Sequence, residues 1–172
     1  MIHSPHSHCS SCGTKYGNED WPRVCPACTF TAWRNPFPVC VALVRVGHGI
    51  LGGRRGIEPK KGGLALPGGY HNFGETWQEG VARELEEETG IKVSERGVRL
   101  FDALTSADGR FHVTFGTVGL HLAELPPLVQ VPNHATGENE TQELVILTGD
   151  ETLAFPLHTE ALRKFVTAIL RG

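Results

Sequence analysis

The chain has 172 residues, 40% of them hydrophobic and 20% charged, enough for one compact domain with a small appendage. Its formal net charge of −3 supplies no general field for polyanions, so a nucleic-acid role would need a local basic patch. No apolar run approaches the roughly 18 residues that span a bilayer, and the start MIHSPHSHCSSC lacks a basic n-region and an apolar h-region, so a cytoplasmic location without a membrane partner is expected.

The first chemical signal is Cys9, Cys12, Cys25 and Cys28, in CSSC and CPAC with twelve residues between the pairs. Each Cys-x-x-Cys lets two thiolates reach one ion from a tight turn, and two such knuckles complete a tetrahedral Cys₄ zinc site. Two disulfides or a redox pair are the alternatives. A cytoplasmic setting disfavours the first, and a redox pair needs no second copy. A segment this short buries no core of its own, so the zinc would be structural, with a closed coordination shell. Residues 1–34 are therefore expected to form a zinc ribbon. His3, His6 and His8 precede it as a tail, with His8 an alternative ligand.

The junction FTAWRNPFPV is stiffened by Pro36 and Pro38. VCVALVRV and GILGGRRG follow as β-rich runs around Gly47–Gly49, with Cys40 a buried strand residue. LALPGGY then leads into a helix. VRLFDALTSA, RFHVTFGTVGLHLAEL and QELVILT read as further strands, with Asp108-Gly109 turning a hairpin between the first two. HTEALRKFVTAILRG reads as an amphipathic helix with Leu162, Phe165, Val166 and Ile169 on one face. Residues 126–139 form one long irregular loop, a place where function is often found.

The central helix carries the stretch RELEEETG. Thr76 and Glu79 make a capping box at its start, and Gly90 is a suitable C′ residue. Carboxylates are unfavourable near the negative end of a helix, yet Glu84, Glu86, Glu87 and Glu88 crowd there. Glu84, Glu87 and Glu88 stand at i, i+3 and i+4, so they share a face, while Val81 and Leu85 pack inward beside them and Glu86 points to solvent. A cation would make this arrangement favourable, and oxygen ligands suit Mg²⁺ or Mn²⁺. A solvated acidic face is the bland alternative. The upstream PGGYHNFGE weighs against it, because Gly68, Gly69 and Gly74 allow close approach of backbone to a ligand. Arg83 is within reach of Glu75, Glu79 or Glu87 and would orient the carboxylates.

Residues 69–91, GYHNFGETWQEGVARELEEETGI, resemble the Nudix box, G-x5-E-x7-R-E-U-x-E-E-x-G-U with U aliphatic. Gly69, Glu75, Arg83, Glu84, Leu85, Glu87, Glu88, Gly90 and Ile91 meet every specified position. The resemblance implies an α/β/α sandwich around a mixed sheet over residues 35–172. It also implies hydrolysis of a nucleoside diphosphate linked to another group, at the pyrophosphate. Glu84, Glu87 and Glu88 match the metal ligands, joined by the Gly68 carbonyl, and Glu75 and Arg83 match the supporting ion pair. Divalent ions neutralise pyrophosphate oxygens and lower the pKa of bound water, so positioning and electrostatics dominate the chemistry. Glu87 is one candidate for the general base. Glu138, Glu140 and Glu143 in GENETQEL are others, with Glu143 preferred. Arg54 and Arg55 are candidates to hold substrate phosphates, or form an ordinary basic strand end.

The ribbon, the WRNPFPV junction and the box together are similar to the arrangement of the NADH diphosphatases. The S-Q-P-W-P-F-P-x-S motif of that group is missing downstream, LAFP at 153–156 being too short and too late, and no domain is expected ahead of the ribbon. NADH or NAD⁺, ADP-ribose and FAD are therefore all candidate small-molecule substrates. One alternative is a binding module whose ribbon contacts nucleic acid, for which Lys15, Arg23 and Arg34 supply little charge. Another is prenyl diphosphate isomerase chemistry, which the complete box disfavours. A homodimer is compatible with the resemblance.

Overall fold

The computed structural model describes residues 6–18, 20–130, 132 and 136–171, with side chains in the final helix through residue 168. His3 and part of the loop at 126–139 lie outside the described residues. The chain forms two compact units, Met1–Pro36 and Phe37–Gly172.

The first unit is built from two knuckles of the same backbone design. Cys9 N–H donates to the Thr14 carbonyl at 2.8 Å and Gly13 N–H to the Cys9 carbonyl at 2.9 Å. The second knuckle repeats this, with Cys25 N–H to Phe30 and Thr29 N–H to Cys25, both 2.9 Å. Each needs one left-handed residue. Gly13 fills that position in the first (φ 73°) and Thr29 in the second (φ 60°), where a β-branched residue is unfavourable. Strands β1 (Arg23–Val24) and β2 (Thr31–Ala32) pair antiparallel across the second knuckle.

The second unit is a seven-stranded mixed sheet with one helix on each face. Its strands are β3 (Phe37–Val46), β4 (Gly49–Arg55), β5 (Leu64–Ala65), β6 (Gly68–Tyr70), β7 (Val98–Thr105), β8 (Phe111–Leu122) and β9 (Thr141–Leu147). The order is β5-β4-β3-β8-β7, with β6 added beside β3 and β9 beside β4. Among the strand pairs of the described residues, only β3 and β8 run parallel. Alternation along β3 explains the two layers. Val41 and Leu43 enter the core beneath α2 (Pro156–Arg171), with Ala161, Leu162 and Val166. Cys40, Ala42, Val44 and Val46 enter the other, with Val81 and Leu85 of α1 (Trp77–Thr89). A strand covered on both faces reads as a continuous apolar run, which is what VCVALVRV is.

Helix α1 has the expected capping box, and ends at Gly90 with φ 76°. Helix α2 begins at Pro156, ahead of the expected start at His158; proline's fixed φ suits a first helical position, where its missing N–H leaves no bond unmade. Leu162 and Val166 are buried and Phe165 packs against the core, while the Ile169 side chain lies outside the described residues. A short 3₁₀ turn, Glu95–Gly97, has no counterpart in the expected elements. Among the described residues, no helix is long and apolar enough to cross a membrane.

Candidate active site and metal centres

The glutamate face of α1 is set against the turn between β6 and the helix. Strand β6 pairs with β3 through Cys40↔Gly69 and Val41↔Gly68. A Cβ at Gly68 would stand 2.5 Å from the Cys40 carbonyl oxygen, and one at Gly69 would stand 2.7 Å from both carboxylate oxygens of Glu84. A Cβ at Gly68 would meet fixed backbone and one at Gly69 would displace the Glu84 carboxylate, so the two glycines let the strand and the carboxylate meet.

Arg83 is the hub of the site. Its Nε and Nη2 donate to the two oxygens of Glu75 at 3.0 and 2.8 Å. Its Nη1 donates to Glu84 at 2.6 Å and to Glu87 at 3.0 Å, and Nη2 also donates to the Tyr70 carbonyl at 2.9 Å. Glu79 is engaged in the cap. The fork geometry of a guanidinium suits this division of bonds. The Arg83 hydrogen bonds hold Glu75 below the usual carboxylate range.

Glu84 is 6% exposed. Burial pushes its carboxyl up to about 7 against the pull of Arg83, with the charges of Glu87 and Glu140 adding to the rise. Burial likewise pushes Glu88 up to about 8, helped by Glu84 and Glu140 and opposed by the Gly68 N–H and the Arg55 charge. Thr141 Oγ1 stands 3.5 Å from Glu88. Glu87 is exposed, and Glu86 turns away to Lys92 at 2.9 Å. Removing charged carboxylates from water is unfavourable, and a hard divalent cation offsets it. Among the described residues, the four cysteines are the group whose ligand atoms already lie within 4.8 Å of one another, while Glu84, Glu87 and Glu88 supply oxygen donors of the kind that Mg²⁺ or Mn²⁺ takes.

The downstream glutamates separate by partner. Glu138 accepts from Lys61 at 2.9 Å. Glu143, the preferred candidate base, accepts from Arg54 Nε at 2.9 Å across the β4–β9 pair. Glu140 is the one whose charge acts on both Glu84 and Glu88. The arginines separate in the same way. Arg54 also donates to the Gly62 carbonyl at 3.0 Å. Arg55 lies 5.0 Å over the Phe155 ring, donates to the Pro59 carbonyl at 2.8 Å, and its charge reaches Glu88. Nothing in the sequence signals that Phe155, in LAFP, would carry Arg55.

In the first unit, the sulfurs of Cys9, Cys12, Cys25 and Cys28 all lie within 4.8 Å of one another. The pairs Cys9–Cys28 and Cys12–Cys25 are 3.7 and 3.6 Å apart, and all four cysteines are free of disulfides. Four thiolates about 2.3 Å from one zinc would be separated by about 3.8 Å, so the cluster fits a tetrahedral ion. His8 is engaged with Ser7 instead. Cys40 is buried in the other unit, its thiol pushed up to about 12 by burial and by Glu75 and Glu84.

Residues 35–168 match the family model described as the NUDIX domain. The chain is 32% identical over 92 residues to the NAD-capped RNA hydrolase NudC of Haemophilus influenzae, which covers 51% of this chain and 35% of that protein. It is 37% identical over 62 residues to the ADP-ribose pyrophosphatase of Methanocaldococcus jannaschii, covering 36% of this chain and 37% of that protein. The match thus spans about a third of each of these curated relatives. A solved NUDIX hydrolase from Nitrosomonas europaea superposes with a TM-score of 0.73 at 22% identity, over 96% of this chain and 93% of that one, which extends the likeness of fold to nearly the whole length. A family match over most of the chain, a complete box and a shared architecture lead to one conclusion: this chain belongs to the Nudix family.

Proposed function

We propose that this chain is a divalent-metal-dependent pyrophosphohydrolase acting on a nucleoside diphosphate linked to a second group, of the NADH/NAD⁺, ADP-ribose or FAD type, with a structural zinc in the first unit. The observation that carries the reading is the stack of Glu84 and Glu88 against the Gly68-Gly69 backbone, beside an Arg83 already shared among three carboxylates. The name of the ADP-ribose pyrophosphatase relative points to the same bond class, and that of NudC to an NAD-linked substrate.

Glu84, Glu87, Glu88 and the Gly68 carbonyl would hold Mg²⁺ or Mn²⁺, which neutralises pyrophosphate oxygens and lowers the pKa of water when bound. Arg83 and Glu75 act by orientation, fixing the glutamates before substrate arrives. Arg55, 5.0 Å over the Phe155 ring, would offer its charge to a substrate phosphate. Arg54 and Glu143 brace each other across the sheet. Glu140, in the segment before β9 and close enough for its charge to act on Glu84 and Glu88, would take the proton of the attacking water at its carboxylate. Glu87 is the second candidate for that step. A geometry with base and metal carboxylates on separate elements suits in-line attack on phosphorus, where most of the catalysis is positioning.

The test is a mass-spectrometric product screen of NADH, NAD⁺, ADP-ribose and FAD with Mg²⁺ or Mn²⁺. Wild type should release two monophosphates from at least one of them, and Glu140→Gln should be slower than Glu143→Gln. Substrates left intact by folded, zinc-loaded protein would overturn the reading.

A further inference from the structure

The four-cysteine cluster has a neighbour that the metal-ligand spacing does not reveal. Tyr16 is 6% exposed and packs in one small core with Cys9 and Cys25. Its hydroxyl is the buried side-chain polar atom, among the described residues, that meets no hydrogen-bond partner. An orphaned buried hydroxyl is unfavourable and calls for an explanation.

The surroundings supply one. Tyr16 N–H donates to the Ser7 carbonyl at 3.0 Å, and Lys15 bridges antiparallel to His8. These bonds pin the residue directly beside the first knuckle. The Arg23 guanidinium lies 5.7 Å from its ring centre. The polar groups that share this small core with the ring are the sulfurs of Cys9 and Cys25. A neutral thiol is a poor acceptor, and the hydroxyl forms no hydrogen bond to one here. A metal-bound thiolate carries negative charge and is a much better one.

We propose that Tyr16 is a positioning residue for the metal centre, its hydroxyl donating a hydrogen bond to the Cys9 thiolate once an ion is bound. This rests on the reading of the four cysteines as a metal site. Four thiolates around one divalent ion leave a net charge of −2, and two of the sulfurs, on Cys9 and Cys25, are shut away from water. A donor from inside the unit offsets part of that charge where solvent does not reach. It also fixes the direction of the Cys9 lone pairs, as outer partners of metal ligands do elsewhere. Cys12 and Cys28, on the exposed side, have water for the same purpose.

The experiment compares the full chain with Tyr16→Phe, which removes one oxygen and keeps the ring. Zinc affinity is read by competition with a chromophoric chelator, and the ligand field by the sulfur-to-metal charge-transfer band of the Co²⁺-substituted protein. Loss of the bond should weaken zinc binding about tenfold or more, within the range that such outer partners give. It should also move the Co²⁺ band to lower energy, because the unbonded sulfur holds its electrons less tightly. A role in packing alone would leave that band in place. A Tyr16→Phe protein with unchanged affinity and an unmoved band overturns the proposal, as does one whose affinity falls while the band stays put. Wild-type protein that binds neither ion at the cysteines overturns the metal-site reading itself.

Discussion

Arg83 grips Glu75 through two nitrogens at once, Nε at 3.0 Å and Nη2 at 2.8 Å, while its third nitrogen reaches Glu84 and Glu87. Glu75 stands on the loop and the other two on α1, so one guanidinium sets the position of the loop relative to the helix face. An ammonium has no fork with which to make both bonds. Arg83→Lys should therefore lower kcat by about 10- to 100-fold, with a near-native circular dichroism spectrum. Turnover and spectrum measured side by side check this; near-normal kcat would show that the fork is not needed.

Gly69→Ala tests the same face from the other side. The added Cβ would meet the Glu84 carboxylate at 2.7 Å, and a side-chain end is free to move where a backbone atom is not. The fold should survive with a small loss of stability while the carboxylate is displaced. Mg²⁺ affinity, followed by titration calorimetry, should fall, and activity with it. Unaltered Mg²⁺ binding would place the metal elsewhere.

The raised carboxyls give a pH dependence of definite sign. Folded Glu84 and Glu88 hold their protons up to about 7 and about 8, whereas unfolded glutamate releases its proton near 4.3. The folded state then binds more protons than the unfolded one between those values, so metal-free stability is greatest below them and falls as pH rises toward 8. The loss is on the order of a few kcal/mol, since one unit of displacement is about 1.4 kcal/mol, and half-buried Glu88 contributes less than its shift alone suggests. Urea unfolding at pH 5 and pH 8 reads it directly. On the proposed reading Mg²⁺ should restore stability at pH 8, because a ligand that binds only the folded state stabilises it, and Glu88→Gln should flatten the slope.

Cys25 is 1% exposed at the centre of the small unit. Cys25→Ser should abolish stoichiometric zinc, measured by plasma mass spectrometry, and expose the first unit to proteolysis, because metal binding and folding are coupled in so small a core. Full zinc content in that variant would contradict the tetrahedral Cys₄ centre.

Local rules made much of this legible beforehand. Thr76, Glu79 and Gly90 bound α1, and the apolar run of β3 is covered on both faces. The box fixes Glu84, Glu87 and Glu88 on one face because helical spacing depends only on the chain itself. What escaped depends on register between strands. Glu143 opposes Arg54 only because β4 and β9 pair with that offset, and a bulge follows between Arg54 and Arg55. Alternation along the strand already parts two adjacent arginines, one toward Glu143 and one toward Phe155. Glu140 precedes β9, so its approach to the cluster is likewise a matter of pairing. The Tyr16 hydroxyl is hidden for a similar reason. Spacing identifies ligands, but a donor behind a ligand is found only when the knuckle closes around it.

The most direct test of the account is hydrolysis of ADP-ribose and NADH by zinc-loaded protein, measured by product mass with and without Mg²⁺, in wild type and in Glu87→Gln. The account predicts cleavage between the two phosphorus atoms in wild type, dependent on added metal and largely lost in Glu87→Gln at unchanged fold. Cleavage that persists without a divalent ion, or equally in Glu87→Gln, would contradict it.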